Sequence, residues 1–305
     1  MADMTRIAVL GPGGVGGFVA AALAHAGEDV TVVARESTAD QIARRGIDVS
    51  SALLGDFTAR LRSTAALTEP VEMLVVATKS TTLDAALARI ETAPDVVVPL
   101  LNGLDHMLVL RERFGARRVA AATIRIESDR PRIAAVLQSS PSVRVELAAD
   151  EQTLADAVHW LAATLRMAGI PARVGDSEAQ ILWSKLVRLN ALACTTSAAD
   201  RPIGFIRRDP EWRPRLEACI AETAAVANAD GARIDGADLL AELDAAPAEL
   251  SSSMRRDIAA GREPELDAIP GSVLRGADRH GLACPTIELL TERIAQRAGI
   301  GVPAR

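Results

Sequence analysis

The most chemically telling stretch of the chain is Ile7-Ala8-Val9-Leu10-Gly11-Pro12-Gly13-Gly14-Val15-Gly16-Gly17. An apolar run of strand length leads into glycines at 11, 13 and 16, and an apolar helical pattern follows. This is G-x-G-x-x-G spacing in strand–turn–helix context. The first glycine makes the tight turn, the second lets the backbone approach a pyrophosphate, and the third lets helix and strand pack closely. The helix start adds free N–H groups and a positive dipole end. Gly11, Pro12, Gly13, Gly14, Val15 and Gly16 are therefore the expected dinucleotide cradle. The competing reading is a purely structural glycine turn in another α/β fold, and the second strand arriving on schedule argues against it.

The tip of that second strand, Val32-Val33-Ala34-Arg35-Glu36, bears on the choice of dinucleotide. A carboxylate there hydrogen-bonds a ribose 2′-hydroxyl, whereas a guanidinium makes charge-assisted bonds to a 2′-phosphate. Arg35 favours NADPH, and Glu36 beside it keeps NADH as the alternative. Lys79 follows the strand Met73–Ala77 and is either a solvated loop lysine or a contact to cofactor phosphate or substrate. Asn102-Gly103 follows the next strand, as a simple turn or as an amide placed beside a nicotinamide ring.

These residues need a scaffold, and the first half of the chain alternates short apolar runs with helical patterns, the signature of a parallel sheet flanked by helices. Expected strands are Arg6–Leu10, Val30–Val33, Met73–Ala77, Val96–Leu100 and Arg118–Ala121, with helices at Gly14–His25 and Thr82–Ile90. Arg132–Gln138 and Ser142–Leu147 read as antiparallel edge strands closing the sheet, followed by a helix over Glu151–Met167 and a strand at Ala172–Val174. From Asp176 onward helical periodicity dominates: Glu178–Ala198, Pro214–Ala229, Gly236–Ala245, Ser252–Ala260, Leu266–His280 and Thr286–Gln296. The expected fold class is α/β, a Rossmann-type N-terminal domain over residues 1–175 that binds the dinucleotide. A second, all-α domain over 176–305 would bind substrate and support a dimer.

Composition narrows the chemistry further. Across 305 residues, 49% are hydrophobic and 24% charged, ample for two cores and a solvated surface. There is no tyrosine, which rules out the catalytic Tyr hydroxyl of short-chain dehydrogenases and aldo-keto reductases. A net charge of −6 with scattered arginines argues against nucleic acid as a partner. Cys194, Cys219 and Cys284 show no metal or disulfide spacing and read as reduced thiols, with no metal expected. The apolar segment Ile7–Ala26 holds five glycines and a proline and has neither signal-peptide flanks nor a membrane-span composition, so a cytoplasmic protein is expected.

Taken in order along both halves, several short motifs resemble the ketopantoate reductase (2-dehydropantoate 2-reductase) family. They are the glycine loop, Arg35, Thr78-Lys79-Ser80, Leu101-Asn102-Gly103, Leu182-Trp183-Ser184-Lys185-Leu186, Ser252-Ser253-Met254, Glu263-Pro264-Glu265-Leu266-Asp267 and His280-Gly281-Leu282-Ala283-Cys284-Pro285. The resemblance covers nearly the whole chain. It implies NADPH-dependent reduction of a 2-oxo acid to a 2-hydroxy acid in pantothenate biosynthesis, and a homodimer paired through the helical half. It further implies Lys185 as the general acid, Glu265 holding or tuning it, Ser253 binding substrate, and Asn102 orienting substrate and nicotinamide. That assignment is chemically coherent, because alkoxide charge building on a carbonyl oxygen needs a cation or donor about 3 Å away. His106, near the Asn-Gly turn, is the reserve acid; His25, His159 and His280 read as structural or surface residues.

Departures from the family pattern bear on the substrate. Where the family commonly carries asparagines four and eight residues after the lysine, this chain has Leu189 and Ala193, and Asn190 sits about 100° further round the helix than Leu189. Asn190 is kept as a substrate-binding candidate. A third family asparagine, three residues before Ser253, is Leu250, and the segment where relatives carry Gly and His reads Ile133–Gln138. Losing amide donors shifts preference toward less polar substrates, a different keto acid, ketone or imine. A dinucleotide sensor without catalysis is the alternative of another class, and retention of Lys185 and Glu265 together speaks against it.

Overall fold

The computed structural model describes residues 5–305, which fall into two compact units. Residues 5–101 and His106–Ile181 form one, Asn102–Asp105 and Leu182–Arg305 the other.

In the first unit, β1 (Arg6–Leu10), α1 (Gly14–His25), β2 (Asp29–Val33), α2 (Glu36–Arg45), β3 (Ile47–Ser51), β4 (Gly55–Ala59), β5 (Arg62–Thr64), β6 (Met73–Val76), α3 (Leu83–Leu87) and β7 (Val96–Pro99) follow in order. They continue as α4 (His106–Phe114), β8 (Ala121–Arg125), β9 (Ser128–Asp129), β10 (Ala135–Gln138), β11 (Arg144–Ala148), α5 (Ala155–Met167) and β12 (Ala172–Val174). The main sheet has the order β5-β2-β1-β6-β7, parallel throughout. Its direction of winding reverses between β1 and β6, where open α/β sheets bind ligands at the strands' carboxyl ends.

Helix α1 is buried over Gly16–Leu23, and its sequence is apolar on every face. Its packing explains that pattern: β1 and β2 cover it on one side, and β3, β4, β9 and β10 on the other. Those last four strands form a second sheet, in the order β4-β3-β10-β9. The expectation for the chain after Thr123 is therefore corrected. β10 and β11 do not close the main sheet as paired edge strands. β10 runs parallel to β3, while β11 pairs antiparallel with β8 and parallel with β12 in a third sheet. The partner strand β3 follows the polar Arg44-Arg45-Gly46 and has only Ile47 and Val49 as large apolar residues, too short an alternation to stand out. Its Ser51 hydroxyl donates to the buried Gln138 amide oxygen at 2.6 Å, linking it to β10. The strand expected at Arg118–Ala121 lies later, at Ala121–Arg125, because Gly115 in the left-handed region (φ 91°) opens a short 3-10 turn over Ala116–Arg118.

The second unit is helical: most of α6 (Glu178–Ala199), then α7 (Ile203–Ile206), α8 (Trp212–Ala229), α9 (Gly236–Ala245), α10 (Ser253–Ala259), a π-turn over Asp267–Gly271, α11 (Ser272–His280) and α12 (Pro285–Ala298). The π-turn has a local cause. Pro270 has no N–H to offer the Leu266 carbonyl, which accepts instead from Gly271 N at 3.1 Å. No helix among the described residues is long and apolar enough to cross a membrane.

The division of the chain does not fall at Gly175. The first turn of α6 stays with the Rossmann unit because Glu178 is anchored there, accepting from Arg111 and exchanging hydrogen bonds with the Asp150 segment. The second departure is the excursion Asn102–Asp105, a β7–α4 loop that belongs to the helical unit.

Candidate active site

The glycine loop leaves β1 as the residue pattern requires. Gly11 adopts φ +91°, a conformation that strains any side chain, and its N–H reaches the Val33 carbonyl at 3.1 Å. A Cβ on Gly16 would meet the Gly11 carbonyl oxygen at 2.2 Å, so only glycine lets α1 start this close to β1. Gly13 differs: a Cβ there would meet nothing within 4 Å. The first helical bond runs from Gly17 N to Gly13 O, leaving the N–H groups of Gly14, Val15 and Gly16 without intrahelical acceptors. Beside the loop, the buried Thr78 hydroxyl has no partner among the described residues, and its methyl would be 2.7 Å from a Cβ on Gly11. Open space over Gly13, unsatisfied amides and an orphan hydroxyl fit a pyrophosphate. Arg35 is exposed as the N-cap of α2, and Glu36 lies in that helix's first turn, where a carboxylate is stabilised by the helix dipole. Lys79 is exposed at the start of the turn Ser80–Thr82.

The candidate catalytic residues lie in the other unit. Lys185 is half-buried on α6. Its neighbours Trp183, Leu186 and Val187 are buried, and Trp183 donates its indole N–H to Asp230 at 2.9 Å. Leu182, Lys185 and Leu189 share one half-exposed stripe of the helix. Glu265 is 8% exposed, and the Asn102 amide nitrogen donates to its Oε2 at 2.9 Å. Residues 163 positions apart in sequence thus meet. Gly103 makes this possible: at φ +81° it brings the chain so near the Ala268 carbonyl oxygen that a Cβ would lie 2.0 Å from it. Ser253 opens α10 just after Ser252, whose own hydroxyl caps the helix by accepting from Arg255 N and lies 3.0 Å from Thr196 Oγ1. Among the described residues the Ser253 hydroxyl makes no hydrogen bond.

Two expectations meet a different environment. Asn190 is fully buried, its amide donating to Thr223 Oγ1 at 2.9 Å and its carbonyl accepting from the Cys194 thiol at 3.2 Å. It ties α6 to α8 and has no surface to offer a substrate. The step of 100° that separates it from Leu189 carries it into the core. His106 is buried at the start of α4, in the Rossmann unit, whereas Asn102 belongs to the helical one. Thiol chemistry has no support either. Burial pushes the Cys284 thiol up to about 11, and Cys219 is pushed well up by its contact with Cys194 and by burial. Among the described residues no group of His, Cys, Asp and Glu side chains is placed to hold a metal ion. Sequence reasoning missed Arg275 and Asp105, joined by a 2.6 Å ion pair. Neither lies in a motif, and their partnership is visible only once Asn102–Asp105 is seen to fold with the helices.

Two family models match in tandem, "Ketopantoate reductase PanE/ApbA" over residues 7–150 and its C-terminal counterpart over 179–298. The chain belongs to the ketopantoate reductase family. Among its relatives, the 2-dehydropantoate 2-reductase of Mycobacterium tuberculosis is 31% identical over 302 residues, covering 95% of this chain and 97% of that one. The crystal structure of 2-dehydropantoate 2-reductase from Geobacter metallireducens superposes with a TM-score of 0.87 at 27% identity, covering 95% and 99% of the two chains. D-mandelate dehydrogenase, solved with NADH and anilino(oxo)acetate, shares the fold with a TM-score of 0.88 at 20% identity over 97% and 98%. This ketopantoate reductase homologue is thus an oxidoreductase acting on CH–OH groups with a nicotinamide cofactor. Of the positions read from the resemblance as departures, Leu189 and Leu250 are half-buried and Ala193 is fully buried.

Proposed function

We propose that the chain reduces a 2-oxo acid to the 2-hydroxy acid with NADPH, ketopantoate being the first substrate to test. The observation that carries this reading is the buried Glu265 carboxylate held by Asn102 in the unit that also presents Lys185 and Ser253. The glycine loop would hold NADPH, and the cofactor would supply the hydride for reduction of the carbonyl carbon. Lys185 holds the proton at Nζ and passes it to the carbonyl oxygen, giving the hydroxyl; solvent then returns a proton to the amine. Glu265 is the residue that would hold Lys185 in place for that transfer. Asn102, with one N–H committed to Glu265, retains its carbonyl oxygen and a second N–H to orient the reactants. Ser253 donates to the substrate carboxylate. Arg35 contacts the 2′-phosphate, while Glu36 finds sufficient reason in the dipole of α2, and Lys79 serves as a further cation for cofactor phosphate.

A second reading narrows the substrate. Leu189 stands one turn from Lys185 on the same stripe, and Leu250 precedes the serine run, so the side-chain end of the substrate meets methyl groups. This favours a 2-oxo acid with an apolar substituent, the class of the anilino(oxo)acetate bound to mandelate dehydrogenase. Steady-state assays with NADPH and NADH against ketopantoate and a panel of alkyl and aryl 2-oxo acids decide between them. Ketopantoate turnover at kcat/KM above about 10⁴ M⁻¹s⁻¹ would remove the second reading; no turnover of any 2-oxo acid would remove both. The same preparation tests two further parts of the proposal. Light scattering should give the mass of a homodimer formed through the helical unit, and fractionation of the source cells should place the protein in the cytoplasm.

A further inference from the structure

The four residues Asn102–Asp105 leave the Rossmann unit after Leu101, fold with the helical unit, and return at His106. Among the described residues their N–H groups make no backbone hydrogen bond, and side chains and one close approach tie them to the helical unit. There are three such attachments. Asn102 donates to Glu265, Gly103 lies against the Ala268 carbonyl, and Asp105 receives Arg275. All three end within the stretch from Glu265 to Arg275, which is interrupted by the π-turn.

Arg275 does more than close an ion pair. Its Nε and Nη2 donate to Asp105 Oδ2 at 3.2 and 2.6 Å. Its Nη2 also reaches the Asp267 carbonyl at 3.0 Å, and its Nη1 the Asp267 carboxylate and the Ala304 carbonyl, each at 2.8 Å. One rigid planar group therefore spans the end of the loop and the first residue of the π-turn, an arrangement a flexible ammonium could not reproduce. The side chains of Arg275 and Asp105 are 23% and 32% exposed, so this pair is shielded enough to count, whereas the 69% exposed Asp267 carboxylate adds little.

We propose that Arg275 is a positioning residue of this enzyme: by tying Asp105 to the π-turn it holds the Asn102 amide on Glu265 and so sets the polar site for the carbonyl substrate. The inference rests on the reading of Asn102 and Glu265 as substrate-side residues. A merely structural bolt would lower stability and leave the reaction alone. A positioning residue acts on turnover of properly folded protein, since small misplacements of reacting groups are costly in rate.

The test uses the full-length chain and the variants Arg275→Ala, Arg275→Lys, Asp105→Asn and Arg275→Ala/Asp105→Asn. Hydrogen exchange read on a peptide covering residues 100–107 should accelerate about tenfold in Arg275→Ala and in Asp105→Asn, with the peptide covering Gly11–Val33 unchanged. Against a 2-oxo acid that the wild type reduces, kcat/KM should fall about tenfold in each single variant, and the double variant should be no worse, because both cuts sever one link. NADPH affinity should stay within about twofold, and Arg275→Lys should recover part of the loss. Unchanged exchange at 100–107, or losses that multiply in the double variant, would overturn the proposal. If the wild type reduces no carbonyl compound, the functional reading fails, and the exchange measurement still decides whether Arg275 holds the loop. Should Arg275→Ala not fold, Asp105→Asn carries both readouts.

Discussion

The glycine loop and the polar cluster of the helical unit are built from different material. The loop is contiguous, six residues whose contribution is backbone: turns, N–H groups and the absence of Cβ atoms. The proposed cluster draws on side chains at 102, 185, 253 and 265 of one unit, and the hydrogen bond between Asn102 and Glu265 joins residues 163 positions apart. A backbone cradle tolerates almost no substitution at Gly11 or Gly16, because atoms of the protein already occupy the space. A side-chain cluster tolerates substitution sterically and is sensitive chemically. The two regions should therefore fail in different ways, by lost binding in one and by lost turnover in the other.

The largest effect should come from Lys185→Ala. Loss of a general acid lowers kcat by about 1,000-fold, while NADPH titrated by its fluorescence should bind with nearly wild-type affinity. Loss of binding instead would mean that the lysine belongs to the cradle and the contrast is misdrawn. Next in size is a pair of glycine variants. Gly16→Ala drives a methyl into the Gly11 carbonyl, and should cost about 1–3 kcal/mol of stability together with about 100-fold in NADPH affinity. Gly13→Ala meets no protein atom, so its unfolding free energy should change by less than about 1 kcal/mol while affinity still falls. Equal stability losses for the two variants would show that the space over Gly13 is needed by the fold and not by the nucleotide.

The same contrast explains which parts of the molecule are legible in its sequence. Gly11–Gly16 and the strand, turn and helix around them are local, and each glycine reports its own steric environment. Their spacing therefore carries both the fold of the first unit and its ligand class. Lys185 and Glu265 are reachable only through resemblance, and nothing in the sequence near residue 102 announces a partner at 265. Asn190 shows the limit of that route. Its amide chemistry is legible, but one residue of helical phase decides between a site and a core, and here it is core. Strands β3 and β4 escape a reading by pattern because the residues of β4, Gly-Asp-Phe-Thr-Ala, are largely exposed and carry no apolar run. Without them the second sheet is hidden, and with it the reason α1 is apolar all round.

Smaller effects sharpen the picture on each side. Asn102→Ala leaves the buried Glu265 carboxylate one donor short and should lower kcat/KM for the 2-oxo acid by about 10- to 100-fold, with NADPH affinity little changed. Equal losses in nucleotide binding and turnover would move Asn102 to the cofactor side. Arg35→Ser should shift the ratio of NADPH to NADH kcat/KM about tenfold toward NADH, since one charge-assisted contact is removed at an exposed position. An unchanged ratio would leave the choice of dinucleotide to other residues.

The smallest expected effect concerns how the helical unit steadies the helix that carries Lys185. Asp230 accepts from Trp183, two residues before the lysine, and faces Arg279 and His280 at 3.6 and 3.0 Å. Burial alone would raise its carboxyl, yet the hydrogen bonds from His280 and Trp183 and the charge of Arg279 hold it below the usual carboxylate range. A carboxyl depressed by folding contributes stability that is complete above its unfolded value, near pH 4, and is lost as pH falls through the folded value. Asp230→Asn keeps an acceptor for the indole and removes the charge. Urea unfolding from pH 6 to pH 3 should then show the wild type more stable by about 1 kcal/mol at the upper end, a figure already reduced for solvent screening, with the gap closing below about pH 4. A gap that stays constant with pH would mean that shape, and not charge, holds Trp183, and the helical unit would then resemble the glycine cradle more closely than its side chains suggest.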